Sequence, residues 1–326
     1  MLLVIFTCIP GIAALVYFFG QGYLINSVWL ILLALTMESL VLKIRRKAIL
    51  PCLKDYSAIV TALLLAVSIP PTAPWWIGLT GIFFAIVIAK HLFGGLGYNP
   101  FNPAMVGYAV LLISFPVEMT RWLLPSGIAQ EPMSLSLSFQ QIFGSADINQ
   151  LDAYTGATAL DAFKQERAGQ LVQEFWRQNS LMGAFSGKGW EWVNLAFLLG
   201  GLYLLYRKII SWHIPVSIIV SITLLATVFY DGGSSASHGS PLYHLFGGAT
   251  MLGAFFIATD PVSAATTDRG KLVYGALIGI LIFVIRIWGE YPDGVAFAVL
   301  LGNFTAPALD AFTQTSVDKA MRAPLE

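Results

Sequence analysis

The sequence predicts an all-α integral membrane protein of about ten transmembrane helices, built as a 5+5 inverted repeat with broken helices. Three observations carry that expectation. Apolar residues make up 57% of the chain and charged residues only 11%, with a mean hydropathy of +0.73, whereas a soluble domain carries roughly 25% charged residues. Apolar windows recur at 1–20, 23–43, 57–69, 74–92, 102–119, 191–207, 213–231, 247–258, 271–289 and 293–312, most of them near the ~20 residues that cross the hydrocarbon core. The third window of each group of five is short and runs into proline, at Pro70-Pro71 and at Pro261, where the helix hydrogen-bond ladder cannot continue. Interrupted spans at matching places in two halves point to a transporter-like repeat with a functional midplane. An odd number of spans per half inverts the second repeat, and Gly107-Tyr-Ala-Val-Leu-Leu112 is echoed by Ala296-Phe-Ala-Val-Leu-Leu301.

Three regions follow: residues 1–119 as a first five-helix repeat, 120–190 as an extracytoplasmic loop, and 191–326 as a second five-helix repeat. Basic residues orient them, because short cytoplasmic connectors carry the excess of Lys and Arg. Lys43, Arg45, Arg46, Lys47 and Lys54 follow the second window, Arg207 and Lys208 the sixth, Arg269 and Lys271 the eighth, and Lys319 and Arg322 the last. Threading ten spans puts all four groups, and both termini, on the cytoplasmic side. Trp75, Trp76, Trp122, Trp190, Trp192 and Trp288 mark the opposite boundary, where amphipathic rings sit at headgroup level. The N-terminus reads as a first membrane helix, not as a cleaved signal, since no basic segment precedes its apolar run.

Composition also excludes several functions. Eighteen basic residues balance eighteen acidic ones, so no attraction to nucleic acid is implied. Cys8 and Cys52 offer neither a disulfide framework nor a Cys-x-x-Cys metal site, and His91, His213, His238 and His244 lack metal-ligand spacing.

The stretch Asp152-Ala-Tyr-Thr-Gly-Ala-Thr-Ala-Leu160 interrupts the one long polar connection. Gly156 and Ala157 leave room for another protein's active site to close over the hydroxyls of Thr155 and Thr158, and such loops often carry function. A plain polar turn is the alternative on spacing alone. Gly94-Gly-Leu-Gly-Tyr-Asn-Pro-Phe-Asn-Pro-Ala104 is not a nucleotide fingerprint, because no strand precedes it. Irregular backbone at membrane depth must be buried or line a polar cavity. Asn99 and Asn102 therefore either cap the next helix or meet a ligand, and Asp260 and Ser263 in Thr259–Gly270 carry the same two options. Glu38, Lys90, Glu118, Arg286 and Asp310 lie in or near spans, where ionisable groups are costly. Most sit near span ends and can snorkel to water. Glu38, the deepest carboxylate, is the candidate for an ion pathway. A helix over Asp161–Asn179 completes the external loop.

Three stretches together resemble the RnfD/NqrB family: Gly94-Gly-Leu-Gly-x-Asn-x-Phe-Asn-Pro-Ala104, Asp152-x-x-Thr-Gly-Ala-Thr-x-Leu160, and Thr259-Asp-Pro-x-Ser263 with Tyr291-Pro-Asp-Gly-Val-Ala-Phe-Ala-Val-Leu-Leu301. The length and the external loop resemble RnfD more than NqrB, although the short lead expected before the first span is missing. The resemblance implies a membrane subunit of the Rnf ion-translocating electron-transport complex in the bacterial inner membrane. It implies FMN held on Thr158 through a phosphoester, with Asp152, Thr155, Gly156 and Ala157 as the recognition run for a flavin transferase that uses FAD. A second, non-covalent flavin, riboflavin in relatives, is implied near Asn99 and Asn102 or Asp260 and Ser263. Electrons would pass between ferredoxin and NAD through several membrane and peripheral subunits, coupled to Na+ or H+ transport, so this chain would not be catalytically complete alone. Outside the resemblance, a passive channel or solute transporter without a redox cofactor suits the same scaffold, because fold does not fix function.

Overall fold

A computed structural model describes residues 1–128, 133–144, 151, 153–167, 169–291 and 293–313. Helices dominate, and a helix falls within each of the ten apolar windows. Five are long and apolar enough to cross a membrane unaided: α1 (Leu2–Phe19), α2 (Gly22–Ile44), α5 (Trp75–Ile82, continued as a π-helix over Phe83–Leu92), α15 (Asp268–Trp288) and α16 (Val295–Thr313). Shorter apolar helices are α4 (Ser57–Ser68), α6 (Pro103–Ser114) and α12 (His213–Val228). Between them lie α3 (Ile49–Leu53), α7 (Pro116–Met119), α8 (Leu135–Phe143), α9 (Ala159–Gln165), α10 (Val172–Gln178), α11 (Trp190–Tyr206), α13 (Pro241–Phe246) and α14 (Thr250–Leu252, continued as a π-helix over Gly253–Ile257). The external segment predicted as one helix is two, α9 and α10, with Gly169 at φ 81° between them. Glycine tolerates that left-handed conformation, and a helix does not continue through it.

One apolar core runs through the whole bundle, from Leu15 and Leu30 through Leu65, Ile77 and Leu111 to Ile218, Ile278 and Val299. α1 packs on α11, α2 on α4 and α5, α12 on α15, and α16 on α15 and α6. The α1–α11 contact depends on Gly200, where an added Cβ would lie 2.2 Å from the Thr7 carbonyl oxygen. A small residue there lets two backbones approach, as at many membrane helix interfaces.

The helix breaks are clamped by buried side chains. α4 ends before Pro70-Pro71, and the Asn26 side-chain amide of α2 donates to both proline carbonyls at 3.3 and 3.2 Å. At the start of α14, Asn194 of α11 donates to the carbonyls of Trp190, Phe246 and Gly248 and accepts from the Met251 N–H. At its end, Asn102 donates to the Ile257 carbonyl at 3.2 Å, and Asn303 of α16 reaches the Ser263 carbonyl and the Tyr274 hydroxyl. Without water, each freed backbone group needs such a partner.

Gly200→Ala tests the close approach. Alanine is the better helix former, yet overpacking here should cost about 1–3 kcal/mol. The expected outcome is a lower thermal midpoint of the detergent-purified protein, measured by intrinsic fluorescence.

Candidate functional site

The Thr155–Thr158 loop is fixed by a short ladder and a helix cap. Thr155 and Gly156 pair antiparallel with Leu123 and Trp122. An added Cβ at Gly156 would stand 2.7 Å from the end of the Leu124 side chain, which would have to shift to admit it. Ala157 is exposed and Thr158 half-buried. Thr158 caps α9 in a reciprocal box: its hydroxyl donates to Asp161 Oδ2 at 2.7 Å and accepts from the Asp161 N–H at 3.2 Å, while its own N–H donates to Asp161 at 3.4 Å. This arrangement satisfies the first orphan donors of the helix. Asp152 lies outside the described residues.

Thr158 and Asp161 open onto a cavity of about 110 Å³ whose walls include Tyr108, Trp190, Tyr243 and Asp293. The floor of the site is set by the break before α14. There Arg286, only 4% exposed, donates to the carbonyls of His244 and Gly247, to the Thr250 hydroxyl and to Asp293. Asp293 in turn accepts from the Ala249 N–H at 2.7 Å. Behind it His244 is buried, its Nε2 lies 2.8 Å from the His238 carbonyl, and burial with the nearby Arg286 charge pulls its pKa from 6.5 down to about 3. The ring is neutral at ordinary pH and donates from Nε2.

A second cavity, about 200 Å³, lies towards the opposite end of the bundle. Ser57, Lys90, Asn99, Asn102, Thr259 and Asp260 line it. Asn102 is the N-cap of α6, accepting from Ala104 and Met105 at 3.1 and 3.3 Å, and it also forms part of the cavity wall. Asn99 donates to the Phe101 carbonyl, while its buried Oδ1 has no partner among the described residues. Asp260 and Ser263 do not cap the following helix, which Thr267 caps instead. Ser263 donates to Asp260 at 2.8 Å, and burial pushes the Asp260 carboxyl above its usual range. Asn99, Asn102 and Asp260 thus share one wall, Ser263 stands behind Asp260, and Thr158 belongs to the other cavity.

The snorkelling expected of the ionisable groups fails at two places. Lys90 and Glu38 are 2% and 1% exposed and pair at 2.6 Å, with His91 Nε2 at 3.2 Å from the same carboxylate oxygen. Arg286 is buried in the clamp described above. The partner of Glu38, the deepest carboxylate, comes from 52 residues away in sequence. The π-helical stretch Phe83–Leu92 carries Lys90 and His91, and such insertions are frequent at functional sites. Sequence reasoning missed Asn26, Asn194, Asn303 and Ser57. The only available signal was a lone amide or hydroxyl inside an apolar window.

The fold defines a multi-pass membrane protein with buried polar residues gathered at its helix breaks. Residues 1–319 match the model of the NQR2, RnfD, RnfE family, and the chain belongs to that family. It is 51% identical over 319 residues to the D subunit of the ion-translocating oxidoreductase complex of Cellvibrio japonicus, covering 96% of this chain and 88% of that protein. It is 52% identical over 314 residues to the same component of Pseudomonas aeruginosa strain UCBPP-PA14, covering 96% and 89%. It is 53% identical over 326 residues to that of Yersinia pseudotuberculosis strain IP 31758, covering 97% and 93%.

His244 gives a pH prediction. Its folded pKa is depressed, so its contribution to stability is complete above 6.5 and is lost as pH falls towards 3. At pH 5 the loss is about 2 kcal/mol, from 1.36 kcal/mol per pH unit. His244→Gln, which keeps a donor for the His238 carbonyl, should flatten the acid limb of thermal midpoint against pH between 6.5 and 4.

Proposed function

We propose that this chain is the D subunit of an ion-translocating oxidoreductase complex of the bacterial inner membrane, and that it carries electrons on FMN bound covalently to Thr158. The ten helical windows act as ten spans in two inverted repeats, with both termini cytoplasmic and Thr158 on the outer side. A flavin transferase joins the FMN moiety of FAD to the Thr158 hydroxyl, reading Asp152, Thr155, Gly156 and Ala157. The family relationship and the basic-residue distribution support this reading. The single observation that carries it is a half-buried threonine, in a Thr-Gly-Ala-Thr run, that lines a cavity walled by Tyr108, Trp190 and Tyr243.

The residues fit a tethered ring. Ala157 and Gly156 leave the hydroxyl reachable, and the aromatic walls suit a flat partner. The cavity is smaller than the ~300–1,000 Å³ of pockets that engulf a whole ligand, so part of the ring would lie outside it, towards a neighbouring subunit. Bound there, flavin would supply one- and two-electron chemistry. The chain supplies place: the tether keeps the ring at high effective concentration beside its partner carrier. Electrons would run between ferredoxin and NAD through the other subunits, coupled to Na+ or H+ movement. The second cavity, at about 200 Å³ also below that range, would take part of a non-covalent flavin such as riboflavin and leave the rest outside it. Asn99 offers a buried oxygen without a partner among the described residues, and Asn102 and Asp260 add polar groups to an otherwise apolar wall.

Protein co-expressed with its flavin transferase should fluoresce on a denaturing gel under ultraviolet light, and Thr158→Val should abolish the band without loss of protein. Mass spectrometry of the Thr158 peptide should show the FMN adduct. A dark wild-type band with an unmodified peptide would favour the channel or solute-transporter reading.

A further inference from the structure

The two buried cations are treated differently by their surroundings. Arg286 is saturated by carbonyls, a hydroxyl and a carboxylate, as a structural clamp should be. Lys90 is not. Its ammonium has three donors, of which one goes to Glu38 Oε1 at 2.6 Å and one to Ser57 Oγ at 2.7 Å. Lys90 lines the second cavity, with a third N–H that has no partner among the described residues.

The hydrogen bonds continue outward from Lys90. The Ser57 hydroxyl donates to Asp55 Oδ1 at 2.5 Å, and Asp55 is half-buried while Ser57 is 4% exposed. The Ser57 N–H donates to the same oxygen at 2.7 Å, which fixes the carboxylate. An unbroken chain therefore links a solvent-touching carboxylate, a buried hydroxyl and a buried ammonium on a cavity wall. Around it stand Glu38 against the ammonium, His91 on the same Glu38 oxygen, Arg45 on the His91 carbonyl at 2.8 Å, and Asp260 in the lining of the same cavity. A lysine held only for charge balance needs Glu38. It does not need a hydroxyl relay to the surface.

We propose that Asp55, Ser57 and Lys90 form a proton path into the second cavity, delivering to a flavin reduced there. This rests on the second-flavin reading. Lys90 Nζ would be the proton donor to a flavin reduced there by a low-potential carrier of the complex. At rest Lys90 donates to Ser57 and Ser57 to Asp55. Once Lys90 has given up its proton, the Ser57 hydroxyl turns to donate to the neutral amine and takes a proton from Asp55, which must first be protonated from solvent. Glu38 keeps the ammonium form favoured between turnovers, because an opposite charge within ~4–6 Å stabilises the charged state.

Ser57→Ala cuts the chain while leaving every charge and the Ser57 N–H bond in place, and Ser57→Thr restores the hydroxyl. The full chain carrying Thr158→Val is purified so that any flavin in it is non-covalent, and the flavin is reduced by excess dithionite in a stopped-flow spectrometer across pH. In that background Ser57→Ala should slow full reduction on the order of 100-fold, the range of a lost proton donor. It should also abolish the solvent isotope effect, and small weak acids should rescue the rate. Ser57→Thr should behave as the parent. Equal rates in Ser57→Ala and parent, with flavin present in both, would overturn the path while leaving the second flavin intact. Absence of extractable flavin in the Thr158→Val parent would overturn the second-flavin reading instead. Equal thermal midpoints of the Ser57 variants separate a cut path from a damaged fold.

Discussion

A helix that stops inside a membrane leaves carbonyls and N–H groups with no water to meet them, and this structure is organised around meeting that demand. A buried backbone group left unpaired costs about 1–3 kcal/mol, and each break here would leave several. The solution is the same at each break: one buried asparagine or arginine from a neighbouring helix spans the gap. Asn26 holds the end of α4, Asn194 and Arg286 hold the start of α14, and Asn102 with Asn303 hold its end. These side chains are all 1–4% exposed. The Asn102 N–H also donates to Asn303 Oδ1 at 3.0 Å, which ties the start of α6 to α16.

The same demand locates the cavities. Helices that stop short leave space beyond their ends, and the polar groups that finish the backbone become the polar groups of the wall. Ile257 stands in the wall of the Thr158 cavity and Asn102 in the wall of the other, and one hydrogen bond joins them. The external loop is not a loose strap over this arrangement. Ala159, Phe163, Val172, Phe175 and Tyr243 form a small core of their own. Glu191 accepts from the N–H groups of Ala184, Phe185 and Ser186, and the Ser186 hydroxyl donates to the Tyr243 carbonyl at 3.0 Å. Thr158 is therefore presented on a platform fixed to the bundle.

Much of this was legible in the residues. Proline after a short apolar run marked the α4 break, and Asn102 before Pro103 marked a helix start, since the cap and the proline at the first turn are both local signals. The Thr-Gly-Ala-Thr run marked Thr158 because small neighbours and a hydroxyl are local too. The partners were not legible. Nothing local to Glu38 names Lys90 as its partner. Asp260 and Ser263 looked like helix caps but bond each other, and Thr267 takes the cap. Asn26, Asn194 and Asn303 gave no more than a polar letter in an apolar window.

The sequence by itself determined that the chain is a membrane helical protein, that α4 breaks at its prolines, and that α6 starts behind Asn102. Those features follow from hydropathy, proline geometry and short-range caps, all of which act within a few residues. Only the tertiary structure decided that Lys90 is buried against Glu38 and Ser57, that Arg286 clamps Gly247 and Asp293 in the lining of the Thr158 cavity, and that Asn99, Asn102 and Asp260 line one cavity. Most of those contacts join residues dozens to hundreds of positions apart. Burial in a medium without water, not local propensity, selects the partner each polar group must find.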